Sequence, residues 1–155
     1  MHPSFWDEKG IYTLVLHLAH GEHIEVGALG RIWFEKGYYA YTGSAWGTAG
    51  LKRVLRHLSV AQRKTRRWHI DYLLPATTVE GCVLSCLPSS CECAVARALS
   101  ECMASVKGFG CSDCSCASHL HYCEYCPVQH LLSAHLGAAR ELRSHGHTDS
   151  ADHER

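Results

Sequence analysis

From Ile11 to Leu18 large apolar residues recur at every second position (Tyr12, Leu14, Leu16 and Leu18). That two-residue period predicts a strand with one face toward a core. His20-Gly21-Glu22 supplies a turn, and Ile24–Val26 reads as a short second strand. Past Gly27 and Gly30, Arg31–Phe34 is its expected hairpin partner. Gly37 marks another turn, and Tyr38–Thr42, rich in aromatics and stopped by Gly43, is a further strand. A Gly/Ser/Ala-rich loop runs from Gly43 to Gly50, after which the period changes. Leu51, Val54, Leu55 and Leu58 fall at i, i+3, i+4 and i+7, the stripe of a helix packed on a core. At about 100° per residue, Arg53, Arg56 and His57 project from its other side.

Trp68–Leu74 fits a short helix or an extended run and is closed by Pro75. Val79–Leu87 reads as a strand. Pro88-Ser89-Ser90 then opens a second helix reaching about Met103, with Val95, Leu99 and Cys102 on its apolar face. Ser89 and Glu92 have the spacing of a capping box. Glu92 also lies three and seven residues before Val95 and Leu99, so it shares their inward face. Gly108-Phe109-Gly110 breaks the chain before a Cys/His-rich segment, 111–126. Val128–Leu142 is expected to be a terminal helix, and 144–155 a disordered polar end. The elements predict an α+β fold: a small, mostly antiparallel sheet flanked by helices, with a Cys/His-rich C-terminal segment. One domain over 1–136 and a polar, His-rich tail over 137–155 fit the length of 155 residues.

Composition narrows the partners. Lysine and arginine balance aspartate and glutamate at 15 each, so an electrostatic footprint for nucleic acid must be local. Arg63, Lys64, Arg66 and Arg67 form such a patch, with Arg53 and Arg56 just upstream. No stretch is long and apolar enough to cross a bilayer, so no membrane partner is expected. Met1–Gly10 has no apolar leader-like core, which points to the cytoplasm. In that setting ten cysteines and thirteen histidines favour reduced thiols and metal ligation over a disulfide framework.

Gly10-Ile11-Tyr12 begins the first strand, Tyr41-Thr42-Gly43 ends a later one, Arg53 and His57 follow on a helix, and Glu92 opens another. This order resembles the GIY-YIG nuclease superfamily. The run from Gly37 to Ala45 resembles its small Uri-type endonuclease branch, as do the Arg53–Leu58, Trp68–Leu73 and Glu92-Cys93 segments. Gly108-Phe109-Gly110 followed by Asp113–Cys116 and Ser118–Leu120 adds to the likeness, which spans roughly Gly10 to Tyr122. The resemblance implies metal-dependent hydrolysis of nucleic-acid phosphodiesters, in DNA, and fusions of this branch to glycosylase-like domains imply repair proteins as partners. It makes Tyr12 the general base or its positioner, Arg53 a forked clamp on phosphate, and Glu92 the ligand of Mg2+ or Mn2+. Tyr41 and His57 assist. Arg56, Arg63, Lys64, Arg66 and Arg67 are expected on flanking phosphates. One departure stands out: Ser44 occupies a position where many superfamily members carry lysine. It keeps a non-catalytic nucleic-acid-binding module open as an alternative.

The cysteines offer two possible zinc sets. Cys111-x-x-Cys114 and Cys123-x-x-Cys126 have metal-type spacing. Cys93, Cys114, Cys116 and His119 are the positions shared with the resembled branch, and that set would pin the helix bearing Glu92 to the C-terminal segment. A zinc-stabilised interaction module is the third reading. The packing alternative for any of these thiols is that of a small hydrophobe.

Overall fold

A computed structural model of the chain describes residues 9–45, 68–110, 116–135 and 139–143. Arg53, Arg56, His57, Arg63, Lys64, Arg66, Arg67, Cys111, Cys114, the helix expected from Leu51 and the polar end from Ser144 lie outside the described residues. The chain order is β1 (Ile11–Leu18), β2 (Glu22–Glu25), β3 (Arg31–Phe34), β4 (Gly37–Ser44), α1 (His69–Leu73), β5 (Thr78–Ser85), α2 (Cys91–Ser100), β6 (Ala104–Ser105), β7 (Leu120–Cys123), α3 (Val128–Ala134) and β8 (Ala139–Arg143).

The fold is α+β. Six strands form one sheet in the order β6-β7-β4-β1-β5-β8, and every pairing is antiparallel. The hairpin β2–β3 stands apart as a two-stranded sheet. Strand β1 is central and is buried along both faces except at His17, which is half-buried. Its even positions, Tyr12, Leu14, Leu16 and Leu18, enter one core with Ile70, Leu73, Leu74, Phe109 and Tyr41. Its odd positions Ile11 and Val15 enter a second core with Val95 and Leu99 of α2 and Leu131 of α3. The sheet is thus a middle layer, with α1 on one face and α2 and α3 on the other. Truncating a residue such as Leu99, fully buried at that interface, to alanine costs about 2–5 kcal/mol.

Of the two readings of Trp68–Leu74 the structure takes the helical one: α1 covers His69–Leu73, and the Asp71 carboxylate accepts the Trp68 backbone N–H (2.9 Å) and closes its first turn. One expectation needs correction. The terminal helix expected over 128–142 stops at Ala134. After it, 139–143 pairs with β5 as an edge strand inside the stretch read as a tail. Helix propensity there yields to an open sheet edge, whose ladder groups gain partners when a strand adds. Strand β7, read only as part of the Cys/His-rich segment, pairs with β4 from Tyr41↔Leu120 to Tyr38↔Cys123. No helix among the described residues is long and apolar enough to cross a membrane.

Candidate metal centre at one end of the sheet

The antiparallel register gathers several elements at one end of the sheet. Ile11, at the start of β1, lies opposite Ser44 at the end of β4 and Ser85 at the end of β5. Gly10 accepts the Ala45 N–H at 2.7 Å, and β7 begins beside Tyr41. Helix α2 starts six residues after β5 ends, so its first turn belongs to the same end.

Tyr12 and Gly43 are direct partners in the β1–β4 register. A Cβ built on Gly43 would collide with the Tyr12 hydroxyl, so the glycine makes the room in which this phenol lies. Tyr12 is 1 % exposed and Tyr41 9 %. Both point to the α1 side of the sheet, where Tyr41 meets Phe109 edge-on at 6.1 Å. Gly110, with φ of 74°, brings its backbone against Tyr41: a Cβ there would lie 3.1 Å from the Tyr41 ring and 3.4 Å from His119 Cβ. Its N–H donates to His69 Nδ1 at 2.8 Å. That bond reserves Nδ1 as an acceptor, so the neutral ring carries its proton on Nε2. Burial lowers the His69 pKa, in keeping with that neutral form.

Glu92 arrives from the other face, in the first turn of α2. The expected capping box is absent: the N-cap is Ser90, without a side-chain cap bond, so Glu92 is the second helical residue rather than the third. Its carboxylate instead lies 3.1 Å from His119 Nδ1. His119 is 3 % exposed and is pinned through its backbone, its N–H donating to the Phe109 carbonyl and its carbonyl accepting from Thr42 N–H, both at 2.9 Å. The opposite nitrogen, Nε2, lies 4.0 Å from Cys93 Sγ. With Cys116, these donor atoms lie within 4.8 Å of one another, a group that could hold a metal ion. Cys116 also lines a cavity of about 320 Å3 with Ala96, Arg97, Ser100, Ala117 and Ser118. The exposed Arg97 guanidinium there is a cation that the sequence reading passed over.

Of the two cysteine sets, three members of one come together. Cys123 and Cys126 of the other are apart from this group. Cys123 pairs opposite Tyr38 and packs in the α2 core, while Cys126 is exposed. Ser44 closes β4, half-buried and opposite Ile11. Beside the cluster, His121 is fully buried with neither ring nitrogen hydrogen-bonded among the described residues. Burial, and then the charge of His119, push its pKa down to about 4.

The family model described as "Domain of unknown function DUF123" matches residues 11–141, from the first residue of β1 into β8. The chain belongs to this family. No curated protein and no solved structure matches it. The DUF123 match takes in Tyr12, Tyr41, Glu92 and the Cys93/Cys116/His119 group together. Each of these residues therefore belongs to the family domain.

Proposed function

We propose that this DUF123 protein is a divalent-metal-dependent endonuclease that hydrolyses DNA phosphodiester bonds in the cytoplasm, alongside repair proteins. The observation that carries the reading is that the elements bearing Tyr12, Tyr41 and Glu92 meet at one end of the sheet, in the chain order that the resemblance to GIY-YIG nucleases implies. Free thiols at Cys82, Cys91, Cys102, Cys123 and Cys126 suit a reducing compartment.

In this reading Glu92 presents one carboxylate oxygen to Mg2+ or Mn2+, which is typically held by one or two carboxylates plus waters and phosphate oxygens. Bound there, such an ion would supply activation of the attacking water and stabilisation of charge at phosphorus. Tyr12, with its hydroxyl against Gly43 and almost no exposure, positions the proton network rather than meeting bulk water. Tyr41 orients the phosphate. Arg53 clamps it and His57 assists, with Arg56, Arg63, Lys64, Arg66 and Arg67 on the flanking backbone. Zinc on Cys93, Cys114, Cys116 and His119 stabilises the site's frame.

The test is cleavage of labelled duplex, nicked, branched, abasic and single-stranded DNAs, with RNA in parallel, in Mg2+ or Mn2+. Wild type is expected to cut, and Tyr12→Phe and Glu92→Ala to lose at least about a hundredfold in rate, the scale of a lost general base or charge-stabilising group, while keeping their circular dichroism. Equal cleavage by all three would remove the site assignment. Ser44, standing where many GIY-YIG nucleases carry lysine, favours a second reading as a non-catalytic nucleic-acid-binding module. Salt-sensitive binding without cleavage under any divalent ion would establish it.

A further inference from the structure

We propose that Cys93, Cys116 and His119 ligate one zinc ion, and that His119 couples this ion to Glu92, with Nε2 on the metal and Nδ1–H donating to the carboxylate. The coupling rests on the reading of Glu92 as the carboxylate of the reactive site.

The donor set selects the ion. Two thiolates and an imidazole are soft to borderline ligands that suit zinc, which carries no redox chemistry of its own. Zn–S bonds of about 2.3 Å and Zn–N bonds of about 2.0–2.1 Å place tetrahedral donors roughly 3.5–3.8 Å apart. Cys93 Sγ and His119 Nε2 are 4.0 Å apart already, and the three-donor group spans no more than 4.8 Å. Small side-chain adjustments close the difference. On binding, both thiols give up their protons to solvent as the metal–sulfur bonds form.

The ring orientation selects the coupling. Nε2 faces the Cys93 thiol and Nδ1 faces Glu92. With a metal on Nε2, the neutral ring has its one proton on Nδ1, where the Glu92 Oε2 atom at 3.1 Å accepts it. Metal-ligating histidines recurrently use their second nitrogen in this way, which fixes the ring and raises its basicity. Adjacent residues of one helical turn then take the two roles: Cys93 holds the metal and Glu92 holds the ligand. One Glu92 oxygen is engaged by His119, which leaves Oε1 as the oxygen to face a second cation or a phosphate-bound water. Zinc occupancy thereby sets where that oxygen points, and Glu92 in return tightens the zinc site.

The test uses the full-length protein, reduced with a non-thiol reductant, stripped of metal and titrated with Zn2+ or Co2+ in competition with a chelator. Wild type is expected to take up one equivalent and to give a tetrahedral Co2+ spectrum with thiolate charge-transfer bands. Cys116→Ser and His119→Ala should lose it. Glu92→Gln should keep the stoichiometry and the spectrum but bind roughly 10- to 100-fold more weakly, the usual scale for removing such an outer partner. Cys126→Ser should behave as wild type. No stoichiometric uptake, wild-type affinity in Glu92→Gln, or loss of the site in Cys126→Ser would each overturn the proposal. Should Cys116→Ser fail to fold, the wild-type spectrum still decides, because absent thiolate bands also overturn it. Metal affinity is read without nucleic acid. Intact coupling with no cleavage therefore sinks the nuclease reading alone, and cleavage without zinc uptake sinks this proposal alone.

Discussion

Gly43 shows how much one missing methyl can decide. Its partner in the ladder is Tyr12, and a Cβ at position 43 would fall on the phenol's hydroxyl and ring carbon. Gly43→Ala is expected to destabilise the protein by about 1–3 kcal/mol, the range for overpacking a filled core. Paired with Tyr12→Ala, which empties the space, part of that cost should vanish. A double-mutant cycle in urea should show a coupling of at least about 0.5 kcal/mol. Strict additivity would mean that the glycine serves the backbone rather than the tyrosine. The sequence offered Tyr12 and Gly43 as members of two tripeptides, but that one makes room for the other follows only from the register.

At the scale of an element, helix α3 ends on a buried polar knot. His135 is fully buried, its Nε2 lying 2.9 Å from Thr13 Oγ1 and its Nδ1 2.7 Å from Ser85 Oγ, while Thr13 also meets Thr42 at 3.0 Å. One short helix is thereby tied to β1, β4 and β5. Burial pushes the His135 pKa from 6.5 down to about 4. A depressed histidine pKa means that the unfolded chain takes up the proton first. The stabilising contribution is complete above pH 6.5 and declines as the pH falls toward about 4, at about 1.4 kcal/mol per pH unit. His135→Gln keeps hydrogen-bonding atoms but does not titrate. Its stability deficit relative to wild type, measured by urea denaturation, should be largest near neutrality and narrow as the pH drops. A deficit independent of pH would contradict the burial of a neutral ring. Nothing in the periodicity around His135 distinguished it from the surface histidines, because its partners are 50 and 122 residues away in the chain.

For the whole molecule, the C-terminal edge carries more than the sequence suggested. Strand β8 covers the free side of β5 over Gly81–Ser85. Ending the chain after residue 138 removes it. At roughly 0.5–1.5 kcal/mol net per hydrogen bond, the loss should exceed about 2 kcal/mol. The uncovered edge should also promote concentration-dependent association, visible in light scattering. A chain ended after Arg143 keeps the strand and serves as the comparison. Equal stability of the two chains would show that β8 is dispensable.

The sequence by itself determined the elements whose signal is local. The alternation of β1, the hairpin β2–β3, the aromatic strand β4 and the start of a helix near Glu92 could all be read from periods and turn residues, because neighbours along the chain impose them. It also named Cys93, Cys116, His119 and Glu92 as residues of interest. The tertiary structure decided what these residues face. Strand β1 reads as one-sided, yet it is buried on both faces because it lies between β4 and β5 with helices on either side. Glu92 reads both as a capping residue and as an inward-facing carboxylate, and that its carboxylate goes to His119, 27 positions along, follows only because β7 and the turn before it place that ring over the first turn of α2. The stretch after Ala134 has the composition of a helix end and becomes a strand, because an open sheet edge is beside it. Each of these outcomes depends on contacts between residues distant in sequence, and a local pattern carries no record of which distant residue will fill a neighbouring space.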